Sequence, residues 1–225
     1  MSLSVIVIPC RNEPSINKNV RIVADYLSNT NIENIRIVVS TGDRETLNNF
    51  YSLEHYIVEF HTFGDSLERS ILNGFSYALS LGAEKIVVLD ADLCHPINKV
   101  PDMLALLNNY DMVVGSRYTR GGKYSSTLFR KFVTVSFKTF ASLKGSLMSD
   151  PMSGFFGIRA SILKSIKFKP ITWKTCLEIE LYHRSHNKQI KIYEMPISFD
   201  GERADGLPKS GSKVAIKLLK DLVTY

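Results

Sequence analysis

The sequence predicts an α/β fold: one domain built on a doubly wound, mostly parallel sheet flanked by helices. Three observations carry this prediction. Short apolar, β-branched runs recur at residues 3–8, 35–39 and 86–89, with a shorter version at 112–114, and such runs mark strands buried on both faces. Helical patterns fill the gaps between them, and strands alternating with helices imply βαβ units. The chain has 225 residues, 44% hydrophobic and 22% charged, which suits one globular domain able to bury its core without staples.

Taken in order, the first run leads to a helix that Ser15 is placed to cap and that extends to about Leu27. Leu67, Ile71, Phe75, Ala78 and Leu79 share one helical face, and Gly82 stands at the position of a C-cap. After Gly115 the alternation loosens, and Gly121-Gly122 breaks the chain. Residues 126–144 then read as a helix with apolar and basic faces, 154–158 as a strand, 177–186 as a helix and 190–199 as extended chain. The polar, Gly-containing stretch 200–211 is expected to be a mobile loop. Residues 212–223 form an amphipathic helical pattern, with Lys213, Lys217 and Lys220 opposite Ala215, Leu218, Leu219 and Leu222.

Cys10, Cys94 and Cys176 are odd in number and far apart, which argues against a disulfide framework or a zinc site and for a reducing compartment. The first residues lack a basic leader and a cleavage site, and no apolar run reaches the roughly 18 residues of a membrane span. The expectation is a cytoplasmic protein that meets any membrane from the surface or through a membrane subunit.

The net charge of +6 is local. Residues 112–149 contain no Asp or Glu but carry Arg117, Arg120, Lys123, Arg130, Lys131, Lys138 and Lys144; the other 21 basic residues face 22 acidic ones. A solvated helix face is the common origin of such a run, but an acid-free cationic segment also concentrates an anionic partner, be it phosphate, anionic membrane or RNA.

The sharpest chemical signal is the run 86–92, a buried strand ending in Asp90-Ala91-Asp92. Carboxyl ends of strands line the ligand crevice of open α/β sheets, and residues i and i+2 of extended chain project to one side. Two such carboxylates repel each other unless a proton or cation intervenes. Mg²⁺ or Mn²⁺ fits that position and leaves sites open for phosphate oxygens. The competing reading is an Asp-rich turn capping the next helix, which Pro96 also suits. Asp65 and Asp150 are further carboxylates for the same site.

These residues, in order, resemble the family 2 glycosyltransferases of the GT-A fold, and within them the polyprenyl-phosphate (dolichol-phosphate) mannose synthases. Residues 7–13 (Val-Ile-Pro-Cys-Arg-Asn-Glu) resemble the opening strand, and 89–96 (Leu-Asp-Ala-Asp-Leu-Cys-His-Pro) the metal motif. Gly115-Ser116-Arg117-Tyr118, Asp150 with Ser153-Gly154-Phe155, Glu180-Leu181 and the stretch 196–203 follow in the family's order. The resemblance implies that residues 1–115 form the nucleotide-binding half and 116–225 the acceptor-binding half with its mobile loop. It implies that Pro9, Arg11, Glu13, Asp43, Asp65, Asp90, Ala91, Arg203 and Lys213 bind the donor, and that Asp90 and Asp92 hold the metal. It gives Arg117, Arg130, Thr134 and Ser153 to the acceptor, with Asp92, Arg117 and Arg130 catalytic. Three places depart from the family: Ser40-Thr41-Gly42-Asp43 replaces an Asp-Asp-Gly-Ser turn, leaving Asp43 as its carboxylate, Cys94 replaces an oxygen-bearing side chain, and residues 207–210 read as an insertion before Gly211-Ser212-Lys213.

The implied reaction moves a hexose, mannose ahead of glucose, with inversion from a GDP- or UDP-linked donor to a polyprenyl phosphate. A phosphate acceptor is already anionic and needs cations rather than a general base, which matches the basic segment. Phe132, Val133, Val135, Phe137 and Phe140 are candidates for core or for a lipid-facing surface. A hydroxyl acceptor, with Asp150 or Glu180 as base, is the second enzyme reading. A non-catalytic nucleotide-sugar scaffold is the third, favoured by the altered turn at 40–43. No RNA motif accompanies the basic run, so nucleic acid is not an expected partner.

Overall fold

The structure, a computed structural model, describes residues 2–11, 13–41, 58–62, 67–125, 128–166 and 174–199. Its centre is a seven-stranded sheet in the order β3-β2-β1-β4-β7-β5-β8. The strands are β1 (Ser4–Cys10), β2 (Ile35–Thr41), β3 (Val58–Thr62), β4 (Lys85–Val88), β5 (Met112–Ser116), β7 (Phe156–Arg159) and β8 (Ile192–Pro196). The short strands β6 (Lys123–Tyr124) and β9 (Ser198–Phe199) pair with each other in parallel, apart from the main sheet.

All pairings of the main sheet are parallel except those of β7, which runs antiparallel between β4 and β5. The mostly parallel, doubly wound α/β sheet expected from the sequence is therefore present. The β7 strand comes from the second half of the chain, so both halves contribute to one sheet.

The uninterrupted apolar runs follow from layers of helix on both sheet faces. Val5, Val7, Ile86, Val88, Met112 and Val114 face one buried cluster, shared with α2 (Leu67–Ser80), α4 (Leu128–Leu143) and α6 (Thr175–Ser185). Ile6, Ile8, Val87, Leu89 and Val113 face the other, shared with α1 (Ile16–Ser28) and α3 (Val100–Leu106). Successive strand residues point to opposite faces, so a strand covered twice has no polar position to spare.

Two glycines mark close approaches. A Cβ at Gly157 would lie 2.9 Å from Met103 Cγ, so β7 admits α3 only because it lacks a side chain there. A Cβ on Gly74 would lie 2.4 Å from Val7 Cγ1, bringing α2 onto β1. Gly82 ends α2 with φ +79 and places the Ala83 amide 3.0 Å from the Ala78 carbonyl, as the sequence predicts for a C-cap. Ser15 does precede α1, but its hydroxyl makes no capping bond; the first turn is closed by Ile16 N donating to Glu13 O.

Other expectations are corrected in extent. The strand read at 154–158 starts and ends later, and the extended stretch 190–199 is two strands. The 3₁₀ turn Ile97–Lys99 with α3, and α5 (Ala160–Leu163), lie where no element was expected. The loop at 200–211 and the helix at 212–223 fall outside the described residues. No described helix is long and apolar enough to cross a membrane.

Candidate functional site

The carboxyl ends of β1, β2, β4 and β5 bring the predicted residues to one edge of the sheet. Pro9 and Cys10 end β1 opposite Ser40 and Thr41 of β2. Asp90 follows the end of β4 after Leu89, and the chain turns at Leu93 with φ 57, a left-handed value that a non-glycine residue seldom adopts. Asp92 Oδ1 accepts the Cys94 amide at 3.2 Å, closing this turn. Asn19 of α1 anchors it from outside, its side-chain amide donating to Ala91 O at 2.9 Å.

His95 fixes Asp90. Its Nδ1 accepts the Asp90 amide at 3.2 Å, which leaves the proton on Nε2, 3.5 Å from Asp90 Oδ2. The imidazole is buried and stacks on Phe155 at 5.1 Å between centroids. The Asp90 side chain keeps 35% of its exposure, so the carboxylate opens to the crevice. Gly154 lies beside it: a Cβ there would be 3.5 Å from Asp90 Oδ1. Among the described residues no group of three or more acidic, His or Cys side chains encloses a metal. Two carboxylates at an open strand end suit a hard cation shared with substrate phosphates rather than a closed cage.

The second centre is Arg117, one residue past β5. Asp150 grips it at both ends: Nε to Oδ2 at 2.7 Å and one terminal nitrogen to Oδ1 at 2.7 Å, with the Arg117 amide donating to Oδ2 at 3.0 Å. The guanidinium lies 4.7 Å from the Tyr124 ring centroid and 5.7 Å from those of Tyr118 and Phe199. Burial works against its charge, but the hydrogen bond and charge of Asp150 outweigh that and raise its pKa. Arg117 is therefore a fixed cation. Thr134 of α4 is buried in the same cluster. The pKa of the neighbouring Tyr118 phenol is raised, first by burial and against the opposing pull of Thr134 and Arg117.

A frame of buried and half-buried groups aims Asp150. The Glu194 carboxylate of β8 accepts the Ser149 amide and hydroxyl and the Asp150 amide, at 2.7–3.1 Å. Glu180 of α6 is fully buried and accepts from Ser146 Oγ at 2.5 Å, Leu147 N at 2.9 Å and Arg184 Nε at 3.0 Å. The Ser153 hydroxyl is buried and donates to Gly115 O at 2.7 Å, tying the 150–154 loop to β5. Its place in the geometry is in the scaffold beneath the site.

Lys174 and Cys176, at the start of α6, complete the frame. The Lys174 ammonium donates to Met152 O at 2.7 Å. Its pKa is lowered to about 8, chiefly by burial and next by Arg117, while Cys176, Asp90 and Asp150 pull the other way. The folded pKa lies below the usual 10.5, so the penalty on stability is full below about pH 8 and is relieved between 8 and 10.5. The Cys176 thiol, held neutral by burial with its pKa pushed up to about 12, donates to Ser153 O at 3.1 Å.

Of the other residues predicted from the sequence, Glu13 is buried just past β1, with the Ser15 amide 3.4 Å from its Oε1, and Arg11 is exposed beside it. Arg130 lies on the backbone of α4. Asp43, Asp65, Arg203 and Lys213 lie outside the described residues. His95 has no role predicted from the sequence, although it lies inside the 89–96 motif. Asn19, Glu194 and Lys174 gave no local signal, because each acts on residues distant in the chain.

Comparisons with known proteins establish the family and the fold. The model of the family "Glycosyl transferase family 2" matches residues 5–167. Dolichol-phosphate mannosyltransferase of Pyrococcus furiosus is 32% identical over 161 residues, 69% of this chain and 44% of that protein. The Saccharomyces cerevisiae dolichol-phosphate mannosyltransferase is 28% identical over 84% of this chain and 63% of its own length. Polyprenol monophosphomannose synthase of Mycolicibacterium smegmatis is 30% identical over 68% of this chain and 60% of its length. The chain thus spans 44% to 63% of these relatives. Glucosyl-3-phosphoglycerate synthase of Mycobacterium tuberculosis, solved with Mg²⁺ and uridine-diphosphate, shares the fold with a TM-score of 0.68 at 14% identity, covering 99% of this chain and 79% of that one. The resemblance read from the ordered motifs is borne out: the chain belongs to glycosyltransferase family 2 and has the GT-A fold.

Proposed function

We propose that this chain transfers a hexose, mannose ahead of glucose, from a nucleoside diphosphate sugar to a polyprenyl or dolichyl phosphate, with inversion at the anomeric carbon. The observation that carries the reading is the Arg117–Asp150 pair: a guanidinium fixed at the end of β5, in the acid-free segment, on the same sheet edge as Asp90 and Asp92. An acceptor phosphate oxygen attacks the anomeric carbon, the bond from that carbon to the diphosphate oxygen breaks, and the nucleoside diphosphate leaves with the electron pair. Asp90 and Asp92 would hold Mg²⁺ or Mn²⁺, which supplies Lewis-acid stabilisation of the leaving diphosphate. Arg117, with Arg130 and Thr134, positions the acceptor phosphate and offsets its repulsion from the donor.

The state of the two candidate bases supports a phosphate acceptor over a hydroxyl one. Asp150 is fully buried with both oxygens bonded to Arg117, and Glu180 is fully buried with both oxygens taken. Neither carboxylate is placed to take a proton from a hydroxyl. The similarity to dolichol- and polyprenol-phosphate enzymes points the same way.

Incubation with GDP-mannose or UDP-glucose, Mn²⁺ and a polyprenyl phosphate tests the reading. The expected product is a polyprenyl phosphohexose seen by mass spectrometry. Sugar delivered only to hydroxyl acceptors, or nucleotide binding with no turnover, would overturn it in favour of the second enzyme or the scaffold.

The lipid tail of such an acceptor calls for an apolar surface, and α4 offers one. Leu128, Phe132, Val135 and Leu143 are 85%, 70%, 54% and 78% exposed and fall on one stripe. Thr134, Phe137 and Ala141 occupy the opposite, buried face, so Phe137 is core. Lys131 and Lys138 flank the stripe. We infer that it lies on an anionic bilayer surface. Replacing Phe132 and Leu143 by Ser is expected to weaken sedimentation with phosphatidylglycerol vesicles at least tenfold. Transfer to a short, water-soluble polyprenyl phosphate should remain. Unchanged vesicle binding would assign lipid contact elsewhere.

A further inference from the structure

Lys174 has no part in the chemistry set out above, yet it is a buried cation at the edge of the site. Only 7% of it is exposed. Together with the Cys176 thiol it clasps the 150–154 loop through the Met152 and Ser153 carbonyls. That loop carries Asp150, which aims Arg117, and Gly154, which lies against Asp90. Asp90, Asp150 and Arg117 all act electrostatically on the ammonium. A neutral donor can also bond the Met152 carbonyl, and a buried charge costs stability at neutral pH. What the charge adds is a positive potential felt at both Asp90 and Arg117.

We propose that Lys174 is a positioning residue of the transfer site, an internal cation that weakens the hold of Asp90 and Asp92 on a bare divalent ion and strengthens the hold of the Arg117 region on phosphate. A positive charge in a low-dielectric setting repels a metal ion and attracts a phosphate. The site then favours a cation arriving with a diphosphate over the cation alone, which couples metal and donor binding. This proposal rests on the transferase reading above.

The test uses the full chain at pH 7 and two variants. Lys174→Gln keeps an N–H for Met152 O and removes the charge; Lys174→Met removes both. Mn²⁺ alone is titrated by electron paramagnetic resonance, and farnesyl phosphate without metal by calorimetry. Both variants are expected to bind Mn²⁺ about three- to tenfold more tightly and farnesyl phosphate more weakly by a similar factor. Weaker binding of both ligands would mean that Lys174 is only a clasp, and unchanged binding of both would mean that its charge is irrelevant; either overturns the proposal. Folded wild-type and variant chains that bind no Mn²⁺, either alone or with GDP or UDP, would instead sink the metal reading underneath it, and the proposal with it.

Discussion

Asp92→Ala is expected to abolish metal-dependent binding of GDP and UDP and to lower transfer on the order of a thousandfold. Asp92 has two separable jobs. Its Oδ1 accepts the Cys94 amide and closes the turn in which Leu93 adopts φ 57. Its charge, with that of Asp90, creates the demand for a cation. Asp92→Asn keeps an oxygen for the Cys94 amide and removes the charge, so it isolates the second job. The Asn variant should retain the wild-type melting temperature without metal, because removing one of two like charges relieves repulsion. It should lose the upward shift that Mn²⁺ with nucleotide gives the wild type through preferential binding to the folded state. Asp90→Asn should resemble it in activity but also disturb His95, whose Nε2 faces Asp90 Oδ2 at 3.5 Å. An Asp92→Asn protein with full transfer and an undiminished Mn²⁺ shift would remove Asp92 from the metal site.

The parts of the molecule legible in its sequence are those in which neighbouring residues cooperate. The runs that became β1, β2, β4 and β5 are apolar on both faces because helices cover both faces. The carboxylate turn is readable because strand and ligands are contiguous. Gly82 announced a helix end through its own backbone freedom. The direction of β7 was not readable. Residues 155–158 are a short apolar run like the others, and nothing local distinguishes an antiparallel insertion between β4 and β5; Gly157 matters only because Met103 and Leu107 press on it.

The frame beneath the site was hidden for the same reason. Asn19 serves Ala91, Glu194 serves Ser149 and Asp150, and Lys174 serves Met152. Each looks like an ordinary polar residue until the fold brings its partner close. Asp150 and Glu180, both considered as bases from the sequence, are carboxylates whose oxygens are already committed to other groups. Charge and spacing alone do not distinguish a base from a brace.

The Arg117–Asp150 pair allows the brace to be separated from the chemistry. Arg117→Ala alone leaves Asp150 fully buried without its counter-ion. Breaking a buried pair in this way costs about 3–5 kcal/mol, so a loss of activity in that variant would not by itself identify a functional residue. The double variant Arg117→Ala with Asp150→Asn removes the stranded charge and is expected to recover most of that stability in urea denaturation. Transfer should not recover. It should stay about a hundredfold or more below wild type, with the KM for polyprenyl phosphate raised and the KM for the nucleotide sugar little changed. Arg117→Lys should fall between, since an ammonium keeps the charge but not the forked bonds to both Asp150 oxygens. If the double variant regains transfer along with stability, Arg117 is structural, and the acceptor phosphate must find its cations among the other basic residues of the acid-free segment.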